Sequence, residues 1–345
     1  MDNNINNKPI IITDPENIPL GWDDAFVGNR LLNTRVFLRH LHSTNPVSQR
    51  YFYSCLNTVN AGTFYRTRLP VTLGPMRLSC PATVCGVPMI YGSEIGFTQM
   101  SSIHDICGIM NSAWPGFQII GGLRQRGEDV AGWCWKRSLL TIDHIIGWND
   151  FSSYWNDLTT GYRWRLRATL KKWENVKIRI EDNKSFTSDD YELYRTLVSG
   201  LHYKSETLPI EFFTLLPIPH FYLKAFYQDK VIGWILLIPE NDVLHQLYIG
   251  YNRKSNHEHD IYINLLLEAI RFAIDKKYKR LKMGQTAELV KMRLGGVPEE
   301  RYMLIRHTSP TVNWVINNTN IFTYRKHYPK MQVFKSRKYD FILKD

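Results

Sequence analysis

The sequence predicts an α+β fold arranged in two domains. A chain of 345 residues is longer than a single hydrophobic core usually serves. Its composition, 44% hydrophobic, 13% aromatic and 22% charged, is that of an ordinary globular protein. Segments with apolar residues at helical spacing alternate with short segments of strand pattern. We therefore expect helices packed on central, mostly antiparallel sheets.

The first half predicts a looser set of elements than the second. Residues 1–19 are polar and Asn-rich, and we expect a loose leader there, followed by an N-terminal domain over residues 20–142. Its predicted elements are helices at 20–45 and 102–110 and strands at 50–57, 62–69, 117–123 and 130–140.

The second half predicts a regular order of elements, with a linker at 143–149 and a domain over residues 150–312. Asp150 can cap the first helix, which Gly161 is expected to kink. The basic, aromatic tail 313–345 is expected to be helical from Trp314 or Thr319. The predicted elements are helices at 150–174, 187–200, 209–216, 261–276 and 286–294 and strands at 176–180, 221–227, 231–239, 242–251, 280–283 and 301–307.

Charge is distributed unevenly along the chain. The net charge is +11, yet residues 1–150 carry 12 Lys and Arg against 11 Asp and Glu, and the remainder carries 31 against 21. A basic second half indicates an anionic partner, either a phosphate-rich cofactor, a tRNA or an anionic surface. A solvated basic face that serves solubility explains the same numbers.

The cysteines and the hydropathy pattern favour a cytoplasmic protein. Five cysteines without a signal-peptide pattern argue against a disulfide framework and for free buried thiols. No apolar run reaches the roughly 18 residues that a transmembrane helix needs. His257 and His259 stand near carboxylates, but no further ligand has a sensible spacing, so we predict no metal site.

Several residues near two predicted strands could carry chemistry. Gly284 would allow close approach of a ligand, and Gln285 offers both a donor and an acceptor. Tyr248 could donate its phenol proton as a general acid, and His245 could act as a base. Strict alternation would put His245 on one face of its strand and Gln246 with Tyr248 on the other. Turn residues and core side chains are the structural alternatives.

One segment resembles a known family. Residues 283–307, MGQTAELVKMRLGGVPEERYMLIRH, are similar to the closing segment of the acyltransferase domain in Fem-like members of the GNAT superfamily. Their GQT-x4-K-x2-LG pattern places a recurring lysine at Lys291. The resemblance implies that Lys291 anchors a phosphate or carboxylate as a point charge.

The resemblance also implies a fold and an activity. It implies two tandem GNAT-like domains, with a sheet that splays where strand 242–251 meets strand 280–283, and an acyl donor that enters this splay. The chain would be an N-acyltransferase that moves an acyl or aminoacyl group directly to an amine of a small molecule or peptide. Backbone amides at Leu247 and Ile249 would stabilise the oxyanion, and Tyr203 and Trp234 would contact the acceptor.

The donor is left open by the sequence. Acyl-CoA-dependent GNAT proteins carry a Gly-rich loop after this strand, but here residues 251–256 contain no glycine. Fem-type enzymes, which use aminoacyl-tRNA, also lack that loop. Arg253 and Lys254 could still meet phosphates through their side chains. We expect no tightly bound cofactor, with acyl-CoA or aminoacyl-tRNA as co-substrate.

An Arg-rich helix is the second implied binding region. Its cations Arg163, Arg165, Arg167 and Lys171 could hold an RNA backbone or a cofactor phosphate, as similar helices in the resembled family suggest. The structural alternative is a solvated helix face with the interleaved tryptophans in the core. The alternative function is a non-catalytic GNAT scaffold that binds RNA or a protein partner. Neither the acceptor nor the oligomeric state follows from the sequence.

Overall fold

The computed structural model of the chain describes residues 9–26, 31–45, 47–55, 59–73, 76–88, 98, 103–200 and 207–336. The strands in these ranges are β1 (Ile10–Ile12), β2 (Gln49–Cys55), β3 (Val59–Leu73), β4 (Met76–Cys85), β5 (Phe117–Leu123), β6 (Cys134–Arg137), β7 (Thr141–Ile145), β8 (Lys177–Glu181), β9 (Phe221–Tyr227), β10 (Lys230–Glu240), β11 (Val243–Tyr251), β12 (Arg280–Lys282), β13 (Val297–Glu299) and β14 (Tyr302–His307). The α-helices are α1 (Trp22–Ala25), α2 (Arg35–Thr44), α3 (Ile103–Ala113), α4 (Phe151–Asp157), α5 (Thr160–Lys171), α6 (Ser188–Ser199), α7 (Ile210–Thr214), α8 (Asn256–His259), α9 (Ile261–Asp275), α10 (Glu288–Arg293) and α11 (Pro310–Asn318).

The chain divides into two compact units, each built on one sheet. Unit 1 consists of residues 1–139 and 300–325, and unit 2 of residues 140–299 and 326–345. The strand order is β1-β2-β3-β4-β5-β14-β6 in the first sheet and β13-β7-β12-β11-β10-β9-β8 in the second. Among the described strands the parallel pairs are β4 with β5 and β11 with β12. The predicted α+β class with mostly antiparallel sheets is therefore confirmed.

Each sheet includes a strand from the opposite half of the sequence. β7 lies inside the second sheet, and β14 lies inside the first. The predicted linker at 143–149 is therefore wrong over its first residues. Asp143 and His144 are both buried in β7, and His144 Nε2 lies 2.9 Å from the carbonyl oxygen of Leu294.

The helix predicted at 150–174 is two helices, and the break is not at Gly161. Asp150 caps α4 as expected, because its Oδ1 accepts a hydrogen bond from Ser153 N at 2.7 Å. The break lies at Leu158 and Thr159, where the backbone pairs with the C-terminal segment at Phe334 and Val333. Gly161 lies inside α5.

Three other predicted helices and strands are shorter than expected or differ in kind. The segment 20–45 forms α1 and α2 with a 3-10 turn between them, and the strand predicted at 130–140 is only β6. The tail is helical from Pro310 to Asn318, earlier than predicted, and residues 319–336 contain no helix. Phe334 of the tail is fully buried in unit 2.

The core of unit 2 lies between its sheet and α9. The apolar face of α9 packs on the face of β10 and β11 that carries Ile235, Leu237 and Leu244. On the other face, α6 and α7 cover an aromatic cluster around Trp234, whose indole N–H donates to the carbonyl oxygen of Asp190 at 2.8 Å. No described helix is both long enough and apolar enough to cross a bilayer.

The thiols for which the structure gives a state are free. They are Cys80, Cys85, Cys107 and Cys134, of which Cys85 and Cys107 are buried. Burial raises the pKa of the Cys107 thiol to about 12, so that thiol is protonated and unreactive at neutral pH.

Candidate active site

The sheet of unit 2 opens between β11 and β12. These two strands pair in parallel over three residues, and the last pair is His245 with Lys282. Beyond His245, β11 continues to Tyr251 and pairs only with β10 among the described strands. The predicted splay is therefore present, and one backbone edge of residues 246–251 has no strand beside it. We call this opening the slot.

A β-bulge in β11 determines which of its side chains share one face of the sheet. Leu236 pairs with Tyr248 and Leu237 pairs with Gln246, so Leu247 is the extra residue. Residues directly opposite in an antiparallel pair lie on one face. His245 and Tyr248 therefore share the face covered by α6 and α7, and Gln246 lies on the opposite face. The expectation that Gln246 accompanies Tyr248 is wrong because the bulge interrupts the alternation.

His245 is paired with a carboxylate at the end of the slot. Its Nε2 lies 2.9 Å from Oε2 of Glu240, and both side chains are largely buried. The turn between β10 and β11 explains the pair, because Glu240 is opposite Val243 and His245 is two residues further along the same face. A carboxylate that accepts from Nε2–H fixes the tautomer and leaves Nδ1 as the acceptor.

Tyr248 is held in an aromatic wall. Its ring contacts Phe212, Phe213 and Tyr194 edge-on, at centroid distances of 5.6, 5.8 and 6.0 Å. Edge-to-face packing of this kind fixes a ring in one orientation. The phenol of Tyr248 is therefore held on the same face of the sheet as His245.

The turn after β12 closes the other side of the slot. Gly284, Thr286 and Ala287 all have positive φ, at 70°, 63° and 48°. Such a run is strained for the two non-glycine residues. Gly284 lies in open space, since a Cβ there would meet no atom within 4 Å. The turn therefore has room for a ligand beside Gly284.

Lys291 holds this turn from inside. It is 3% exposed, and its Nζ donates to the carbonyl oxygens of Met283 and Gln285, both at 2.7 Å. Burial lowers its pKa to about 8, against a smaller opposing effect of Glu288. Its contacts are thus with backbone, and the predicted contact of Lys291 with a phosphate or carboxylate stays a prediction.

A charged cluster next to Lys282 was not predicted. Asp143 is 2% exposed and accepts a hydrogen bond from Arg280 at 3.0 Å, and Arg280 also lies 3.1 Å from Glu299. Burial raises the pKa of Asp143, as does Glu299, while Lys282 and Arg280 lower it. The partners come from β7, β12 and β13, so no local sequence pattern could bring them together.

Glu240 was also missed, although the sequence contained a signal for it. Strands corresponding to β10 and β11 were both predicted, and a two-residue turn at Asn241–Asp242 fixes their register. That register alone would have placed Glu240 and His245 on one face.

The other residues that were predicted to contact a substrate or cofactor lie in different environments. Trp234 is fully buried in the aromatic cluster, and Ile249 packs on the α9 side. Arg253 is exposed and donates to the carbonyl oxygen of Gly200 at 3.1 Å, and Lys254 is exposed. Tyr203 lies outside the described residues. Substrate or cofactor contact by these residues stays a prediction.

The Arg-rich helix is α5, and its outer face is basic. Arg165, Arg167 and Lys171 are exposed and Arg163 is half-buried. Trp173 is buried, but Trp164 is 73% exposed. The alternative that places both tryptophans in the core is therefore wrong for Trp164. In the part of the chain that the structure describes, no group of three or more His, Cys, Asp or Glu residues could hold a metal ion.

The described strands form two seven-stranded sheets, and the second sheet has a slot beside a bulged strand. Among solved structures the chain is similar to FemX, with a TM-score of 0.52, 11% identity, and coverage of 90% of this chain and 100% of that one. A conserved protein of unknown function from Bacteroides thetaiotaomicron gives 0.51, with 7% identity and 84% and 98% coverage. A tandem GNAT protein from the clavulanic acid biosynthesis pathway gives 0.48, with 10% identity and 88% and 99% coverage.

The chain therefore has the GNAT fold in the tandem, Fem-like form that the sequence predicted. No protein-family model matches the sequence, and no curated protein is significantly similar to it. At this level of identity the likeness defines the fold alone.

Proposed function

We propose that the chain is an N-acyltransferase that moves an aminoacyl or acyl group from an activated donor directly to an amine. The observation that carries this proposal is the slot, with the His245–Glu240 pair at its closed end and Tyr248 on the same face. A base, an acid and an unpaired backbone edge beside one opening are what acyl transfer to an amine requires. The shared fold with FemX supports the same reading.

The amine is activated by His245. Glu240 accepts a hydrogen bond from Nε2–H, and no described residue hydrogen-bonds to Nδ1. Nδ1 accepts a proton from the attacking amine while the amine nitrogen forms a bond to the acyl carbon. Glu240 stabilises the imidazolium that results. Glu240 is therefore a positioning residue, and His245 is the base.

Strand β11 provides the groups that stabilise the acyl oxyanion and protonate the leaving group. Backbone N–H groups on the open edge of residues 246–251 donate to the developing oxyanion. Collapse of the tetrahedral intermediate breaks the bond from carbon to the donor's oxygen or sulfur, and Tyr248 supplies the proton to that atom. Proton exchange through solvent then returns the proton held by His245 to the phenolate. Lys291 keeps the turn at Gly284 in place through two carbonyl bonds.

We favour an aminoacyl ester of tRNA as the donor, with acyl-CoA as the competitor. The segment after β11 offers few backbone N–H groups to a pyrophosphate, since those of Lys254 and Ser255 are bonded to Oδ1 of Asn252 at 3.0 and 3.3 Å. The N–H groups of Asn256 and Glu258 are bonded to carbonyls at Arg253 and Ser255. A CoA-binding loop works by presenting such groups to the phosphates.

The test is transfer of label from bulk charged tRNA, or from acetyl-CoA and longer acyl-CoAs, to a panel of amines, read by mass spectrometry. We expect transfer from charged tRNA, reduced about 10²- to 10⁴-fold by Tyr248→Phe and by His245→Gln. His307→Gln, a strand histidine of unit 1, is the matched control and should leave the rate unchanged. Transfer from acyl-CoA alone would replace the donor, and no transfer with full RNA or protein binding would favour a non-catalytic scaffold.

A further inference from the structure

Helix α5 presents an exposed tryptophan inside a row of cations. Its inner face packs in the core of unit 2 through Tyr162, Leu166 and Leu170. Its outer face carries Trp164, which is 73% exposed, although a tryptophan is usually largely buried. An indole that the fold leaves in solvent needs an explanation outside the fold.

The cations around Trp164 have no acidic partners. Within the described residues, Arg163, Arg165, Arg167 and Lys171 form no ion pair, whereas the next residue, Lys172, pairs with Asp260 at 3.2 Å. The helix itself contains no Asp or Glu. Its positive charge is therefore available to a ligand.

Helical geometry brings the Trp164 ring and two of the cations into one row. Arg167 and Lys171 stand three and seven residues after Trp164, on the same side of the helix. The row from Trp164 to Lys171 spans about 10 Å at 1.5 Å per residue. A ligand on this row meets one flat apolar surface flanked by point charges.

We infer that this face of α5 binds single-stranded nucleic acid, with a base stacked on Trp164 and phosphates held by Arg165, Arg167 and Lys171. Stacking on an aromatic ring beside cations that track the backbone is the general mode of single-strand binding. A duplex offers no unstacked base to the indole. The ligand class thus follows from the pairing of ring and charge.

A lipid surface fits the same face less well. A helix that lies in a membrane interface needs a continuous apolar face next to its basic one. The exposed residues around Trp164 are Thr160, Gly161, Ala168 and the cations, so the apolar area is little more than the indole itself. Anionic vesicles are therefore the competing ligand in the test.

The position of α5 extends the proposed function. Lys172, at the end of α5, donates to the carbonyl oxygen of His257 at 2.9 Å, and Asn264 of α9 donates to the carbonyl oxygen of Thr169 at 3.1 Å. The helix is therefore fixed to the segment that directly follows the open edge of β11 along the chain. The inference gives an RNA-borne donor a surface on unit 2, and in this respect it rests on the proposed function.

The test is fluorescence anisotropy with a labelled oligouridylate of about 12 nucleotides, without any acyl donor. We expect Trp164→Ala to weaken binding about tenfold and Trp164→Phe to weaken it less than about threefold, because a phenyl ring still stacks. Trp314→Ala is the matched control, since Trp314 is 66% exposed on α11, a helix without cations. It should bind like the wild type.

The charges are tested by salt and by reversal. Contacts to about three phosphates predict a slope near −2 for the logarithm of the binding constant against that of salt concentration. Arg167→Glu with Lys171→Glu should flatten that slope. These side chains are exposed, so unchanged melting temperatures are expected and verify folding.

Two results would overturn the inference. One is equal binding by the Trp164→Ala and Trp314→Ala variants. The other is Trp164-dependent binding to vesicles of phosphatidylglycerol and phosphatidylcholine that excess oligouridylate does not displace. Because the assay contains no acyl donor, a chain that transfers nothing can still bind RNA. Conversely, an active transferase that ignores Trp164 would refute only this inference.

Discussion

Two lysines are buried in unit 2, and they are held in different ways. Lys224, 2% exposed, has its Nζ 2.7 Å from Asp190 Oδ2 and 3.0 Å from Glu181 Oε2. Lys291, 3% exposed, bonds to two carbonyl oxygens and has no carboxylate within ion-pair distance among the described residues. The ammonium group of Lys224 is neutralised by two carboxylates, whereas that of Lys291 is paired with none among the described residues.

The difference separates a structural ion pair from a candidate functional cation. Burying a charge without a counter-ion penalises its charged form, and this lowers the pKa of Lys291 to about 8. Strongly shifted groups beside a cleft are candidates for functional roles. Lys291 lies beside the slot, whereas Lys224 ties β8 and β9 to the start of α6.

The largest loss of stability is expected from breaking the ion pair between Lys224 and Asp190. Lys224→Met leaves the carboxylate of Asp190, which is 1% exposed, without its cation. Removing one partner of a buried pair typically lowers the free energy of unfolding by about 3–5 kcal/mol. Urea unfolding measures the change.

The control for this loss is a lysine on the neighbouring strand. Lys177 of β8 is 72% exposed and lies 3.8 Å from Asp229. Lys177→Met should change the unfolding free energy by less than about 1 kcal/mol, as exposed ion pairs do. If the two variants are equally stable, the view of Lys224 as a structural pair is wrong.

A smaller effect, dependent on pH, is expected at Lys291. Its pKa is about 8 in the folded chain and 10.5 as the ordinary value. Between these pH values the unfolded chain binds more protons, so this group makes the free energy of unfolding rise with pH. The rise amounts to at most about 3 kcal/mol.

Urea unfolding at several pH values, for the wild type and Lys291→Met, isolates this contribution. The difference in unfolding free energy between the two should be constant below about pH 7 and move in favour of the wild type above pH 8. Parallel pH profiles would mean that the buried ammonium is fully compensated by its two carbonyl bonds.

A contrast between local sequence patterns and contacts with distant segments explains which parts of the structure the sequence could predict. β9, β10, β11 and α9 were found within about one residue because their apolar patterns are long and periodic. β7 and β13 were missed, since three to five residues with polar members carry little periodic signal. The bulge at Leu247 is invisible in the sequence, because strict alternation is the only pattern that a strand offers.

In the candidate site, likewise, the positions of the residues could be predicted but their contacts could not. His245, Tyr248, Gly284 and Lys291 stand on elements that the sequence located, so their neighbourhood could be predicted. What each side chain contacts could not, because the contacts join segments far apart along the chain. The carbonyl bonds of Lys291 come from the strained turn before α10, and the exposure of Trp164 depends on which side of α5 meets the core.

The smallest effect is expected from the carboxylate next to Lys291 on α10. Glu288 is 5% exposed, and its charge raises the pKa of Lys291 against the effect of burial. Glu288→Gln removes this charge, so the pKa of Lys291 should fall below about 8. The rise in unfolding free energy should then begin at a lower pH than in the wild type.

A second substitution distinguishes this charge effect from a packing effect. Lys326 lies 3.2 Å from Oε2 of Glu288 and partly neutralises it. Lys326→Gln leaves the negative charge in place and removes its other cation, so the pH at which stability begins to rise should stay the same or increase. Opposite directions for the two variants would show that Lys291 responds to charge at Glu288. A shift in the same direction for both would mean that the environment of Lys291 is set by packing alone.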